Sequence, residues 1–195
     1  MTSCNGAAAL RATAPPPLMS RPYQPSLLRL LHGGVALLSL LAWISGLGVF
    51  LSLDQRWGPA LTLPLADWID LHGSLAVVLW PVALLFTLYA LTAGRARLVQ
   101  PANAIPLLAL LLAIGSGLSM DEDWLRQGQL DHLVYKVHLS AWMLLALMVV
   151  LHLGALLRRG GWPLAHSMAS LRVKAGDRPG QWPSQILRAL QSGSR

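Results

Sequence analysis

The stretch HLSAWMLLALMVVLH, residues 138–152, decides the fold because it is uncharged throughout and carries a histidine at each end. The charge-free run that contains it spans 137–157, and three others span 30–53, 71–94 and 98–120. A helix of roughly 20 apolar residues crosses a hydrocarbon core about 30 Å thick. Because a backbone in lipid must satisfy its hydrogen bonds internally, runs of this length should be helices. The sequence predicts membrane helices at about 27–53, 67–94, 101–120 and 131–158.

The expected architecture is an all-α integral membrane four-helix bundle at 27–160, flanked by two tails. Residues 1–26 are rich in Ala, Pro and Ser and are expected to be disordered. The basic C-terminal tail, 161–195, looks helical and weakly amphipathic only at 184–190, a stretch that is expected to lie on the membrane surface. The first apolar run is too long for a cleaved signal peptide and lacks a small-residue cleavage pattern.

The charges orient the bundle. Of 15 Lys and Arg residues, only Arg56, Arg126 and Lys136 fall in the first and third inter-helix loops, which carry most of the acidic residues. The others lie in the tails, at the start of the first helix or between the second and third helices. By the positive-inside rule, both termini therefore face the cytoplasm or its topological equivalent. The net charge of +7 reflects this topology and anionic lipid. It does not indicate nucleic acid.

Four histidines then fall at two depths. His32 begins the first helix and His152 lies near the end of the fourth, so both are near the inner face. His72 and His138 begin the second and fourth helices near the outer face. His138 and His152 are fourteen residues apart, which is about 21 Å of helix rise and just under four turns. They share one face of the helix at two depths.

Paired imidazoles at two depths are the arrangement that holds two stacked haems. Imidazoles on both sides of an iron give a centre suited to electron transfer, and ionisable groups inside spans are usually functional. Gly46, fourteen residues beyond His32, would leave room at the outer level, and Gly115 and Gly117 could relieve crowding on the third helix. The haem ligands are thus predicted to be His32 with His152 and His72 with His138.

The sequence contains two further histidines and argues against several other kinds of site. His132, in the outer loop, could replace His138, whereas His166 is assigned no role. The single cysteine, Cys4, excludes a disulfide framework, an iron–sulfur cluster and covalent haem attachment. No nucleotide-binding motif is present, and zinc needs ligands that converge at one depth. A histidine-lined transporter or a cofactor-free assembly factor remains a competing interpretation.

The histidine pattern resembles the bacterial cytochrome b561 family, related to the cytochrome b subunits of Ni-Fe hydrogenases and formate dehydrogenases. The likeness covers about 27–160. It implies two non-covalent b haems on His32, His72, His138 and His152, in a protein of the bacterial inner membrane or an equivalent energy-transducing membrane. It also implies electron exchange with quinone.

The electron donor is left open between a small molecule, such as superoxide, and a soluble redox subunit. No catalytic residue is identified. Asp131, Tyr135 and Lys136 lie near the outer haem and are the first positions to test for a quinone site. Cationic residues near the two faces are candidate partners for the haem propionates; they are Arg29, Arg95, Arg158 and Lys136.

Overall fold

The computed structural model describes residues 23–54, 56, 58, 67–170 and 172–192. Within these ranges the regular structure is helical, with two short 3₁₀ turns between the sixth and seventh α-helices. Most of the arm predicted to be disordered, 1–22, lies outside the described residues. The helices are α1 Ser26–Leu53, α2 Trp68–Leu91, α3 Arg95–Leu98, α4 Pro101–Leu118, α5 Glu122–Arg126, α6 Leu133–Ala169 and α7 Trp182–Ser192.

Four helices, α1, α2, α4 and α6, are long and apolar enough to cross a membrane. Their outer surfaces carry large apolar side chains, with Val77 65%, Leu108 64% and Val150 66% exposed. Water-facing surfaces of soluble proteins rarely carry apolar patches of this extent. The prediction of an all-α, multi-pass membrane protein is confirmed.

The four spans form two helical hairpins. The backbones of α1 and α2 lie close along their length, as do those of α4 and α6, whereas the two hairpins approach each other at few places. Buried Val35, Ala42, Leu79, Ala83 and Leu110 form a core cluster where they meet. We call the end of the bundle near α3 and both tails the inner end, and the end near α5 the outer end.

Local chemistry sets several helix ends. The Asp67 carboxylate caps α2 by accepting hydrogen bonds from the backbone N–H groups of Ile69 and Asp70, at 3.0 and 3.3 Å. Proline at the first position of α4 needs no hydrogen-bond partner there. Helix α6 is interrupted at Gly161, whose backbone is not helical (φ +59°), and a shorter helical segment follows as far as Ala169. The interruption falls shortly after the charged pair at 158–159.

The C-terminal tail folds back onto the start of α1. The guanidinium of Arg29 donates to the carbonyl oxygens of Ser170 and Arg172. The tail ends in α7, which contains the predicted helical stretch 184–190. Composition alone did not predict this packing of the tail against the bundle.

Candidate functional site

The outer end brings together two of the four histidines. The ring centres of His72, on α2, and His138, on α6, lie 6.0 Å apart with their planes at 73°. Nδ1 of His138 lies 2.9 Å from the carbonyl oxygen of Ala113 on α4. Nδ1 of His72 lies 3.0 Å from Oγ of Ser45 on α1, and that hydroxyl donates to the carbonyl of Ala42. Each ring is thus held by a neighbouring helix of its own hairpin and meets its partner across the two hairpins.

The inner end brings together the other two. The ring centres of His32, on α1, and His152, on α6, are 6.3 Å apart, with the planes at 36°. Nδ1 of His152 lies 2.7 Å from the carbonyl oxygen of Ala102, at the start of α4. His32 packs against the ring of Phe86, centre to centre at 5.9 Å. The four histidines therefore lie in the two spatial pairs expected from their depths.

The hydrogen bonds assign the ring protons. A carbonyl oxygen only accepts, so His138 and His152 must donate through Nδ1–H. Nδ1 of His72 is likewise engaged, by the Ser45 hydroxyl at 3.0 Å. A neutral imidazole protonated on Nδ1 keeps its lone pair on Nε2. Histidines that bind metals commonly have their other ring nitrogen held in this way.

The ring separations fit one metal ion per pair. An imidazole nitrogen binds such an ion at roughly 2 Å and lies roughly 1 Å from its ring centre, so opposed ligands have ring centres about 6 Å apart. Among the described residues, no group of three or more His, Cys, Asp or Glu side chains could hold a metal ion. Two protein ligands per pair fall short of a four-coordinate zinc site. They match haem iron, whose remaining ligands come from the porphyrin.

The outer pair lines a cavity between the hairpins. Its volume is about 350 Å³, within the range of roughly 300 to 1,000 Å³ for small-molecule and cofactor sites. Two glycines make room beside the rings. A Cβ atom on Gly46 would lie 3.1 Å from Cε1 of His72, and one on Gly117 would lie 3.0 Å from Cε1 of His138. Both glycines are among those that the sequence indicates as sources of space, whereas a Cβ atom on the third, Gly115, would meet no atom within 4 Å.

Two residues of α1 that line the same cavity each carry a buried polar atom. Ser39 and Trp43, one turn apart on α1, both line it. Ser39 Oγ and Trp43 Nε1 are buried and have no hydrogen-bond partner among the described residues. The Trp43 indole also stacks on Trp142, with ring centres 4.9 Å apart.

A buried carboxylate joins α1 to α6 at the outer end of this cavity. The Asp54 side chain is fully buried; it accepts from Tyr135 Oη at 2.9 Å and forms an ion pair with Arg56. The Arg56 guanidinium holds the pKa of Asp54 down to about 2. Of the three residues proposed for a quinone site, Tyr135 lines the cavity. The other two, Asp131 and Lys136, pair with each other on the surface at 3.2 Å.

The remaining histidines lie apart from both pairs. His132 stacks on Trp124 in the outer loop, with ring centres 3.8 Å apart, and His166 is exposed beyond the kink of α6. The Arg29 guanidinium, a candidate partner for a haem propionate, instead bonds to the tail carbonyls described above. The role of Asp54 was not predicted, because in the sequence it is one of several acidic residues in the outer loops.

Comparisons with protein-family models, curated proteins and solved structures find no match for this chain.

Proposed function

We propose that this protein is a membrane electron-transfer protein that binds two b haems without covalent attachment. The outer haem is held by His72 and His138, and the inner haem by His32 and His152. The observation that supports this proposal best is the meeting of four intramembrane histidines as two pairs, with ring centres 6.0 and 6.3 Å apart. Histidines that only extend their polar rings toward the membrane surface would not be expected to meet in pairs across two hairpins.

The chain's own groups prepare both sites for such a cofactor. The carbonyls of Ala113 and Ala102 orient the rings of His138 and His152 and leave Nε2 available as a ligand. Bound haem would supply one-electron chemistry, and two histidine ligands leave no open position for oxygen. Because His138 and His152 are separated by about 21 Å of helix rise, the two sites would lie near opposite faces of the membrane.

The electron partners follow from the family resemblance stated above. Quinone is the proposed membrane partner, and a small molecule or a soluble redox subunit is the proposed donor. The proposed location is the bacterial inner membrane or an equivalent energy-transducing membrane. Co-purification with a large redox subunit would favour a membrane-anchor role, and quinone turnover by the isolated chain would favour a stand-alone oxidoreductase.

The test is a dithionite-reduced minus oxidised visible spectrum of the purified protein, with haem quantified per chain. We expect a b-type spectrum and two haems per chain, unchanged in the control variants His132→Ala and His166→Ala. One haem per chain, or a loss in His132→Ala, would mean that one pair is wrongly assigned. Colourless protein after expression with sufficient haem would overturn the proposal and favour the transporter or assembly-factor interpretation.

A further inference from the structure

Helix α7 has an apolar face that the described chain covers only in part. Trp182, Ile186 and Leu190 recur at four-residue intervals and Leu187 lies beside them, whereas Ser184, Arg188 and Gln191 occupy the opposite side. The side chains of Leu187 and Leu190 are 58% and 49% exposed. This face therefore needs an apolar environment from outside the described structure.

A set of hydrogen bonds around Asp177, which we call the latch, fixes where α7 begins. The buried Asp177 carboxylate accepts from Tyr23 Oη at 2.5 Å and from the backbone N–H of Ser26 at 2.6 Å. The Ser26 hydroxyl donates to the Asp177 carbonyl at 2.7 Å and accepts from Trp182 Nε1 at 2.9 Å. Ser26 is the first residue of the spanning helix α1. The latch thus places the start of α7 at the end of a membrane span.

The charges around α7 match an anionic surface. Residues 172–192 contain Arg172, Lys174, Arg178 and Arg188 but one acidic residue, Asp177. Its carboxylate is already occupied within the latch. The segment therefore presents uncompensated positive charge beside an amphipathic helix. This combination is typical of helices that lie in the headgroup layer of a membrane with anionic lipids.

We propose that α7 lies in the headgroup layer at the inner end of the bundle, with its apolar face toward the acyl chains. Its partner is an anionic phospholipid surface, and the latch sets its position relative to α1. The proposal does not depend on the cofactor, because it rests on the tail and the start of α1. It gives the C-terminal segment a role in how the bundle is seated in its membrane.

The test places a fluorescent label on one cysteine at a time in the full-length protein, in a Cys4→Ser background. Leu190→Cys labels the apolar face, and Ser184→Cys, about 120° away around the axis of the same helix, is the matched control. Each protein is reconstituted in phosphatidylcholine vesicles with or without phosphatidylglycerol. Nitroxide-bearing lipids and a water-soluble quencher then report where the label lies.

We expect nitroxide lipids to quench the label at 190 several-fold more than the label at 184, and more strongly when phosphatidylglycerol is present. Adding Asp177→Asn should reduce that difference, because the carboxylate that holds the tail is lost. Equal quenching of both labels by the water-soluble agent would overturn the proposal. Shielding of position 190 from both quenchers, with energy transfer between labelled chains, would overturn it in favour of a second copy as the partner.

Discussion

At the scale of single residues, the absence of a side chain shapes the outer site as much as the histidines do. Gly46 and Gly117 lie against the rings of His72 and His138 from two different helices. A methyl group at either position would approach a ring carbon to about 3 Å, so something must shift to admit it. The ring of His138 cannot move freely, because Ala113 holds its Nδ1. Glycine at these positions therefore sets where the rings lie.

We expect Gly117→Ala to weaken the outer site. Alanine favours a helix over glycine by up to about 1 kcal/mol, but overpacking a fixed neighbour costs about 1–3 kcal/mol, and the ring must tilt. The result should be a lower thermal midpoint in detergent and less than full occupancy of the proposed outer haem. Thermal unfolding and haem quantification on the same sample measure both effects.

Gly115→Ala, on the same helix, is the matched control, because a Cβ atom at that position would meet no neighbouring atom within 4 Å. We expect it to leave haem content unchanged and stability equal or slightly raised. Indistinguishable behaviour of the two variants would show that space beside His138 is not limiting.

At the scale of elements, Asp54 connects two helices that the chain order keeps apart. It follows the last residue of α1, and its partner Tyr135 lies 81 residues later, in the first turns of α6. The Arg56 guanidinium pairs with the same carboxylate and lies over the Tyr135 ring, 5.5 Å from its centre. A negative charge in this fully buried position is stable only while those partners remain. The ends of α1 and α6 are therefore joined electrostatically at the outer end.

This connection predicts a specific acid sensitivity. The pKa of Asp54 is lowered from 3.8 to about 2 in the folded protein. A carboxylate with a lowered folded-state pKa contributes stability above its unfolded pKa, and that contribution is lost as pH falls through the folded value. We expect about 1–2 kcal/mol, because the partly exposed Arg56 is screened by solvent. The free energy of unfolding should drop between pH 3.8 and about 2 more steeply in wild type than in Asp54→Asn.

Asp131→Asn provides the control, since the Asp131 side chain is fully exposed in its pair with Lys136. Its unfolding profile over the same pH range should follow wild type. A profile for Asp54→Asn that also follows wild type would show that Arg56 and Tyr135 do not stabilise the ionised carboxylate in the folded state.

The elements also show what the sequence could and could not predict. Charge-free runs predict spanning helices because lipid excludes charge, and the prediction holds for α1, α2, α4 and α6. The depth of a histidine follows from its position in its run, so the spatial pairs could be expected too. The latch could not be predicted, because Asp177 and Ser26 are 151 residues apart in the sequence and no periodic pattern links them. For the same reason Asp54 could be read only as an outer-loop charge.

At the scale of the whole molecule, both histidine pairs lie between the two hairpins. The hydrogen bonds that orient His72, His138 and His152 stay within a hairpin, whereas the partner rings come from opposite hairpins. The hairpins pack closely within themselves and loosely against each other. A group bound between paired rings would therefore supply contacts that hold the hairpins together.

This arrangement predicts a distinctive pattern among histidine variants. Ligands of one site act as a unit, so their effects should not add within a pair but should add between distant pairs. We expect His72→Ala, His138→Ala and the double variant each to retain one haem per chain. We expect the cross-pair variant His72→Ala/His152→Ala to retain none, with a lower thermal midpoint because both inter-hairpin sites are empty. Haem quantification and thermal unfolding of the four proteins, beside wild type, measure the pattern.

The cross-pair comparison separates the proposed pairing from every other use of the same four histidines. If His72 were paired with His32 or His152, the His72→Ala/His138→Ala protein would lose both haems instead of one. If His72 were paired with His132, the single variant His138→Ala would keep both haems. If the histidines lined a path for protons or metal ions, single and double variants would change transport while no haem was present to lose. Retention of one haem in the within-pair double variant, together with loss of both in the cross-pair variant, is the outcome that only two independent sites at two depths produce.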